Sequence, residues 1–430
     1  MAARVSPARM AAFRVLLHME RSSNAHCDEL LRAPAMEALS PADRNLTTAL
    51  VMGVLRWQLA LDAIAARYLR RESALDDAVA IALRLGVFQL LGMERIPPHA
   101  ALSESVELAK ASGHSHASGM VNAVLRRVAK AASTLLLDPA AAHPAWLLTR
   151  WTKQFGAEAS AGITSYDQQP PTAAFRVSQP VPEEGSLLPG ALLNNARRVP
   201  EGTAVPDGFR VQDEGSQLVA ELAGKGSRIL DCCAAPGGKT AILASNNPKS
   251  EITACDISEA RLSAMRRKLA RDPVTAGVHC LLADATALPF RDDFDLILCD
   301  APCSGTGTLA RNPEIKLRLA ASELVRQQQR QLAIVRSAFR VLAPGGRLVY
   351  ATCSLEPEEN VSVVEAFLNE EPAANRLLVE ERVSAMQQEG TLHDRGAELL
   401  RRYGLRDGYL QTLPGLIPCD GFFTAVLTRT

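Results

Sequence analysis

The sequence predicts a multidomain protein in which an all-α bundle precedes a small α+β linker domain and a doubly wound α/β domain. The chain has 430 residues, which is enough for two or three domains with separate cores. Helical periodicity runs through about the first 130 residues, and after Ser227 apolar strands alternate with helices. Hydrophobic residues make up 47% of the chain and charged residues 22%, so we expect it to fold throughout.

The N-terminal region, residues 1–135, is predicted to be a helical bundle. Ser40-Pro41-Ala42-Asp43 supplies a capping serine, a proline at the first helical position and an acid three residues after the serine. Apolar residues then recur with helical spacing, at Leu46, Leu50, Val54, Leu55 and Leu61. Further helices are predicted over 77–93, 102–111 and 118–131.

Residues 143–215 are predicted to form the linker domain. The composition there is Pro-rich, and only short strand-like pieces remain, at 173–177 and 208–212. The α/β domain is predicted over 216–430, because continuous apolar strands separated by helices are typical of a parallel sheet with both faces covered. Its strands are predicted at 228–232, 252–256, 279–283, 295–299 and 347–352, and helices begin near 322 and 358.

The charge balance restricts the partners of the protein. Lys and Arg number 47, as do Asp and Glu, so any affinity for a polyanion has to come from local patches. No stretch approaches the ~20 apolar residues that span a bilayer, so no membrane partner is predicted. Arg4, Arg9 and Arg14 precede the first acid, and we assign them to an amphipathic helix rather than to an organelle-targeting peptide.

The cysteines indicate a reducing compartment. There are nine, an odd number, and they are scattered without the spacing of a disulfide scaffold, so we predict a cytoplasmic protein. Cys232 and Cys233 are adjacent, Cys299 and Cys303 are four apart, and no Cys-x-x-Cys or nearby histidine pair completes a zinc site. We therefore predict that no metal binds.

A glycine-rich loop follows the first strand of the α/β domain. Residues 231–240 read D-C-C-A-A-P-G-G-K-T, in which two glycines let the backbone approach a ligand while the next helix presents amide donors. A phosphate-binding loop requires glycine where Cys233 stands, and a dinucleotide G-x-G-x-x-G is absent. The predicted cofactor-binding residues of this loop are Cys233, Ala234, Ala235, Pro236, Gly237, Gly238 and Lys239.

Acidic residues end the next two strands. Asp256 lies about twenty residues beyond the loop, where an acid binds the hydroxyls of a ribose, and Asp284 is placed to accept from an adenine amine. Either acid alone is also a common helix cap. The two acids follow successive strands, and the loop before them lacks a pyrophosphate cradle. This combination indicates an adenosine ligand without phosphates, such as S-adenosylmethionine.

Two cysteines follow the fourth and fifth strands. Residues 300–307 read D-A-P-C-S-G-T-G and contain Cys303, and residues 351–354 read A-T-C-S and contain Cys353. A cysteine often serves only as a small apolar side chain, but strand ends face the ligand crevice. Methylation of pyrimidine carbon 5 needs a thiolate that first adds to carbon 6, so one cysteine is predicted to be the nucleophile and the other to assist adduct breakdown. Asp300 is predicted to hydrogen-bond the pyrimidine ring nitrogen and amino group, and it is also predicted to be a cofactor-binding residue.

These motifs resemble the RNA 5-methylcytosine methyltransferases, the Nop2/Sun or Fmu family. The resemblance implies a Rossmann-like, S-adenosylmethionine-dependent domain with Cys353 as the nucleophile, Cys303 as the residue that helps release the product, and RNA rather than DNA as substrate. Leu317 departs from the pattern, in which Trp would follow Lys316. The matching segments are 231–240, Asp256, Asp284, 300–305, 311–316, 344–346, 352–354 and 420–423.

The helical region resembles the NusB-like RNA-binding domain, in Ala8-Arg9, Asp43-Arg44, the run 53–56 and the run 121–126. This pairing of domains is similar to the bacterial 16S rRNA cytosine methyltransferases of the RsmB type. It implies an enzyme that methylates 16S rRNA free of, or early in assembly into, the small subunit, and we expect a monomer. The candidate RNA contacts are Arg126, Arg127, Arg311 and Lys316.

Two other functions stay open at this point. The same chemistry on tRNA is one, and methylation mapping of both RNAs would separate it from the first. The other is a non-catalytic RNA-binding factor in ribosome assembly, against which the retention of Cys303 and Cys353 weighs. Arg126 and Arg127 also fit a solvated helix face.

Overall fold

The computed structural model divides into two compact units. The first comprises Met1–Pro170 with Leu309–Arg318, and the second comprises Pro171–Thr308 with Leu319–Thr430. The predicted linker segment 143–215 is therefore shared between the units, because its helices pack with the first and its strands with the second. The structure describes residues 5–69, 75–177, 187–200, 203, 205–206, 209–291 and 294–430.

The first unit is helical, as the periodicity predicts. Its helices before residue 170 are α1 (Pro7–Arg21), α2 (Cys27–Leu31), α3 (Pro34–Glu37), α4 (Pro41–Ala66), α5 (Asp77–Gly92), α6 (Pro98–Ala111), α7 (Ser118–Ala131), α8 (Ala145–Phe155) and α9 (Ala157–Asp167). The predicted cap is present, because Ser40 Oγ accepts from the backbone N–H of Asp43 at 3.1 Å. By length and composition α4 is apolar enough to cross a bilayer, but 61% of its most apolar window is buried within the unit, as in a core helix.

Phe88 of α5 belongs to the helical core, and two glycines make room for its ring. A Cβ on Gly53 of α4 would lie 2.0 Å from Cζ of Phe88, and one on Gly92 would lie 2.7 Å from its Cε2. Real Cβ atoms do not approach other atoms so closely, so the ring requires glycine on both sides. The glycine of the 53–56 run therefore serves packing.

The second unit holds two sheets and most of the remaining helices. Its strands are β1 (Ala174–Arg176), β2 (Leu188–Pro189), β3 (Ala196–Arg198), β4 (Arg228–Asp231), β5 (Glu251–Asp256), β6 (His279–Leu282), β7 (Phe294–Asp300), β8 (Leu342–Thr352), β9 (Ala374–Leu377), β10 (Leu405–Arg406), β11 (Tyr409–Gln411) and β12 (Phe423–Arg429). The helices that follow α9 are α10 (Glu214–Ala223), α11 (Gly238–Asn246), α12 (Glu259–Leu269), α13 (Ile315–Arg318, in the first unit), α14 (Ala321–Arg340), α15 (Val361–Glu370), α16 (Val379–Gln388) and α17 (Asp394–Leu399).

The small sheet is antiparallel, with strand order β1-β3-β2. The strand predicted at 208–212 is not formed as such. Val211 makes only an isolated bridge to Phe175, and Gly208 lies outside the described residues.

The large sheet is doubly wound, which confirms the predicted fold class. Strands β8, β7, β4, β5 and β6 pair in parallel in that order. The chain runs outward from β4 to β6 and then continues on the other side of β4 with β7 and β8, so the topological switch point lies between β4 and β7. An antiparallel extension that the sequence did not predict follows, in which β12 pairs with both β8 and β9, and β11 and β10 continue beyond β12.

Both faces of the large sheet are buried at its central strands, whereas the edge strand β6 is largely exposed. Alternate residues of a strand point to opposite faces, so Ile229 and Leu296 join one apolar cluster while Leu230 and Ile297 join another. This double burial explains why the strands appear in the sequence as continuous apolar runs.

Residues 309–318 belong to the first unit, although they follow the Cys303 loop in sequence. The backbone N–H of Cys27 donates to Oε1 of Glu314 at 3.3 Å, and Lys316 Nζ donates to the carbonyl of Arg56 at 2.8 Å. The Lys316 side chain is 1% exposed, and burial lowers its pKa to about 7. This segment is thus part of the interior of the helical unit.

The glycine at position 53 gives a direct test of the helical core. We expect Gly53→Ala to lower the free energy of unfolding by about 1–3 kcal/mol, because the added methyl group displaces Phe88 from a packed core. Gly119→Ala is the matched control, since no atom lies within 4 Å of a Cβ built there. It should raise stability by about 0.5–1 kcal/mol through helix propensity. Thermal and denaturant unfolding measure both changes, and equal effects would contradict the packing argument.

Candidate active site

One cleft in the second unit collects residues from the carboxyl ends of the parallel strands. The predicted site residues that line this cleft are Cys233, Ala235, Asp256, Asp284, Asp300, Cys303 and Cys353. The other predicted residues of the glycine-rich loop do not line the cleft and instead shape the loop behind it. They are Ala234, Pro236, Gly237, Gly238 and Lys239. The sequence did not predict the other lining residues, which are Cys232, Ile257, Arg261, Ala283, Ala285, Ala301, Pro302, Arg330 and Ile334.

The loop between β4 and α11 depends on glycine at its turn. Gly237 has φ +88°, a left-handed conformation that other residues rarely adopt, and a Cβ there would lie 2.6 Å from Cγ of Met265. Thr240 Oγ1 donates to Oδ2 of Asp231 at 2.7 Å, which ties the start of α11 to the end of β4. Asp231 is fully buried, and burial raises its pKa to about 7. Asp231 is therefore a structural residue behind the cleft.

Asp256 and Asp284 differ in their surroundings. Asp256 is 4% exposed, and its Oδ1 accepts from Ser258 N at 2.8 Å and from Arg261 Nη2 at 3.0 Å. Its Oδ2 accepts a longer bond of 3.3 Å from Ala235 N, which links β5 to the glycine-rich loop. Asp284 is exposed and accepts from the backbone and side chain of Thr286, and these bonds hold its pKa below the usual value.

The two cysteines predicted to act together are in contact. The Sγ atoms of Cys303 and Cys353 lie 3.4 Å apart, and both side chains are partly accessible. The hydrogen bond to Cys353 and burial raise the pKa of Cys303 well above the ordinary thiol value. Cys303 therefore keeps its proton at neutral pH, and either sulfur can be the donor in the contact between the two.

Asp300 forms an ion pair that the sequence did not predict. Lys239 Nζ donates to Asp300 Oδ2 at 2.6 Å and lies 5.1 Å from the centre of the Phe422 ring. Burial acts to lower the pKa of Lys239, but the charge and hydrogen bond of Asp300 outweigh it and raise that pKa. Lys239 was predicted as a cofactor residue because it belongs to the glycine-rich loop, whereas its ammonium group is bonded to the carboxylate beside the cysteines.

Glu359 is a second residue that the sequence analysis missed. Its side chain is fully buried and accepts hydrogen bonds from Ser304 and Ser354, the residues that follow the two cysteines. No signal in the sequence separates it from the neighbouring acids Glu356 and Glu358. The helix predicted from 358 begins instead at Val361, because Glu359 and Asn360 belong to the loop.

The four candidate RNA contacts have different accessibility. Arg126 and Arg127 of α7 are exposed, and Arg311 is half-buried. The prediction for Lys316 is wrong, because its ammonium group is enclosed in the helical unit and donates to a backbone carbonyl. Leu317, where the family pattern has Trp, packs against the same helical core.

Comparisons with known proteins agree with the two units. A family model described as "16S rRNA methyltransferase RsmB/F" matches residues 221–428, and the "NusB family" model matches residues 6–130. The "Probable ribosomal RNA small subunit methyltransferase B" of Bacillus subtilis (strain 168) is 32% identical, with 98% of each chain covered. The "Ribosomal RNA small subunit methyltransferase B" of Xanthomonas campestris pv. campestris is 33% identical, with 98% of this chain and 97% of the relative covered.

Solved structures share the fold. The structure titled "Crystal Structure of PH0851" has a TM-score of 0.76 at 20% sequence identity and covers 100% of both chains. The crystal structure of NSun6 from Pyrococcus horikoshii has a TM-score of 0.53 at 19% identity and covers 66% of this chain and 98% of that one.

The buried Asp231 predicts a pH dependence of stability. In the folded protein it holds its proton up to about pH 7, whereas an unfolded aspartate loses its proton near pH 4. The folded state therefore binds more protons between these values, and the contribution of Asp231 to stability falls as pH rises through that window.

Asp231→Asn keeps an acceptor for Thr240 but cannot ionise. We expect its free energy of unfolding to equal that of the wild type near pH 4. At pH 8 it should be more stable by on the order of 2–4 kcal/mol. Chemical denaturation at the two pH values measures the difference, with the exposed turn variant Asp407→Asn as control. An Asp231→Asn effect that is the same at both pH values would show that Asp231 is not the titrating group.

Proposed function

The chain belongs to the 16S rRNA methyltransferase RsmB/F family, and we propose that it transfers a methyl group from S-adenosylmethionine to carbon 5 of one cytosine in 16S rRNA. The observation that carries the proposal is the contact of two thiols in one cleft. Sγ of Cys303 lies 3.4 Å from Sγ of Cys353, and Asp256 and Asp284 line the same cleft.

The residues that line the cleft support S-adenosylmethionine as its ligand. In this proposal the carboxylate of Asp256, at the end of β5, binds the ribose hydroxyls, and Asp284, two residues beyond β6, accepts from the adenine amine. Ile257 and Ile334 add apolar surface for an adenine ring. When bound, S-adenosylmethionine supplies a methyl group on a positively charged sulfur, which a nucleophilic carbon can attack.

Carbon 5 of cytosine is too electron-poor to attack that methyl group unaided. Addition of the Cys353 thiolate to carbon 6 forms an S–C bond and makes carbon 5 nucleophilic. After methylation, a base removes the carbon 5 proton, the electron pair of that C–H bond restores the double bond between carbons 5 and 6, and the S–C bond breaks with Cys353 leaving as the thiolate. Cys303 keeps its proton beside Cys353, so it is suited to assist release rather than to attack.

We expect the ion pair of Asp300 and Lys239 to bind the polar edge of the cytosine ring. Oδ2 of Asp300 is bonded to Lys239, and within the described residues Oδ1 makes no hydrogen bond, so it is available to accept from an exocyclic amine. The ammonium group of Lys239 supplies a donor and a positive charge beside it. Together they favour thiolate addition by binding the ring as it gains electron density.

The target cytosine has to be unpaired or flipped, because stacking shields carbon 6. We propose that the helical unit binds the RNA through Arg126 and Arg127, and that the protein acts as a cytoplasmic monomer on 16S rRNA free of, or early in assembly into, the small subunit. Methylation of tRNA by the same site is the second candidate, and the intact cysteine pair disfavours a non-catalytic assembly factor.

The cysteines give the first test of this proposal. We expect wild-type protein to incorporate labelled methyl groups into deproteinised 16S rRNA. Cys353→Ala should lose activity to below detection because no nucleophile remains, and Cys303→Ala should accumulate a protein–RNA adduct that gel electrophoresis under denaturing conditions detects.

A parallel incubation with tRNA serves as the substrate control. Incorporation into tRNA alone would replace the 16S rRNA assignment with the second candidate. Full activity of Cys353→Ala would contradict the covalent mechanism on either RNA.

Asp256 gives the test of the donor site. We expect Asp256→Ala to weaken S-adenosylmethionine binding by about tenfold or more, because two hydrogen bonds to a charged group are lost. Binding of RNA should change much less. Calorimetric titration with the donor and filter binding with 16S rRNA measure the two affinities, and an unchanged donor affinity would contradict the ribose assignment.

A further inference from the structure

Glu359 lies between the two cysteine loops and binds both. Its side chain is 0% exposed. Oε1 accepts from Ser304 N at 2.8 Å and from Gln331 Nε2 at 3.1 Å. Oε2 accepts from Ser304 Oγ and from Ser354 Oγ, both at 2.5 Å. All four donors are neutral, and among the described residues no cation lies within ion-pair distance of this carboxylate.

A buried carboxylate without a cation is costly, since the charge has lost its hydration. The hydrogen bonds that the carboxylate accepts therefore have to offset the free-energy cost of burying it. An ionised carboxylate is an acceptor with room for about four bonds, and no neutral side chain of the same size accepts four. Three of the four donors belong to Ser304 and Ser354, the residues immediately after Cys303 and Cys353, so these bonds act next to the two thiols.

Further bonds hold the loops side by side. Thr306 Oγ1 accepts from Leu355 N at 2.9 Å, and Gly307 N donates to the carbonyl of Cys353 at 2.9 Å. The second of these bonds is made by the backbone of Cys353 itself, and the two serine Oγ atoms that bond Glu359 also lie 3.1 Å from each other. Removal of Glu359 would therefore take away the acceptor that the residues after both cysteines share, while the bonds made directly between the loops remain.

We propose that Glu359 is a positioning residue of the methyl transfer, which holds Cys303 against Cys353 by accepting hydrogen bonds from both loops. This inference rests on the proposed function above. The position of the carboxylate has a second effect: the hydrogen bond between the two thiols and burial raise the pKa of Cys303, and the negative charge of Glu359 adds to this rise. Glu359 thus helps to keep Cys303 protonated while Cys353 attacks.

The test uses RNA that contains 5-fluorocytosine, in which fluorine replaces the proton lost from carbon 5 and traps the adduct. We expect Glu359→Gln to form the adduct at least about tenfold more slowly at saturating RNA, because an amide nitrogen cannot accept the serine hydroxyls. Donor affinity and the RNA concentration for half-maximal rate should stay at wild-type values. Glu359→Asp keeps the charge and should recover part of the rate.

Glu365→Gln is the matched control for loss of a carboxylate. Glu365 is an exposed residue of α15 that pairs with Arg376, and its loss should leave the adduct rate unchanged. If Glu359→Gln does not fold, the double variant Ser304→Ala, Ser354→Ala removes the same hydroxyl donors and should slow adduct formation several-fold.

A pH profile separates positioning from a general loss of structure. In a Cys353→Ser background, we expect Glu359→Gln to shift the alkylation of Cys303 by iodoacetamide to lower pH, since a negative charge near the thiol is removed. A wild-type adduct rate in both Glu359→Gln and the double serine variant would overturn the proposal. So would a parallel loss of donor affinity. Failure of the wild-type protein itself to form the adduct would instead overturn the proposed function.

Discussion

The carboxyl ends of β4, β5, β7 and β8 meet at one edge of the large sheet because these strands pair in parallel. This pairing places Asp256, Asp300 and Cys353 around one cleft, although about a hundred residues separate the first from the last. The switch point between β4 and β7 opens the crevice in which a ligand binds. Burial of both faces holds the strands in place, so the site is built on a rigid support.

Buried charges in this protein occur where chain segments have to be held together. Glu359 joins two loops after neighbouring strands, and Glu314 and Lys316 fix the 309–318 segment inside the helical unit. In both places the partners are backbone groups and small polar side chains that an apolar residue of equal size would leave unsatisfied. The charged side chains therefore set a geometry, and the apolar clusters supply most of the stability.

The features that could be predicted from the sequence are the ones marked by hydrophobic periodicity or by a position at the end of a strand. The apolar runs located the parallel strands, and Asp256, Cys303 and Cys353 were predicted at the cleft because they follow such runs. The antiparallel strand β12 was missed, since nothing local marks which strand it pairs with. Lys316 was misassigned because a basic residue in a polar segment resembles a surface residue, and only tertiary packing shows that it is enclosed.

In the proposed mechanism Cys353, not Cys303, attacks the cytosine. The adduct with 5-fluorocytosine RNA can be digested with trypsin and nuclease and mapped by mass spectrometry. Cleavage after Arg347 and Arg376 gives a peptide in which Cys353 is the only cysteine, whereas Cys303 lies in the 292–311 peptide. We expect the nucleotide mass on the 348–376 peptide. A nucleotide on the 292–311 peptide would contradict the account.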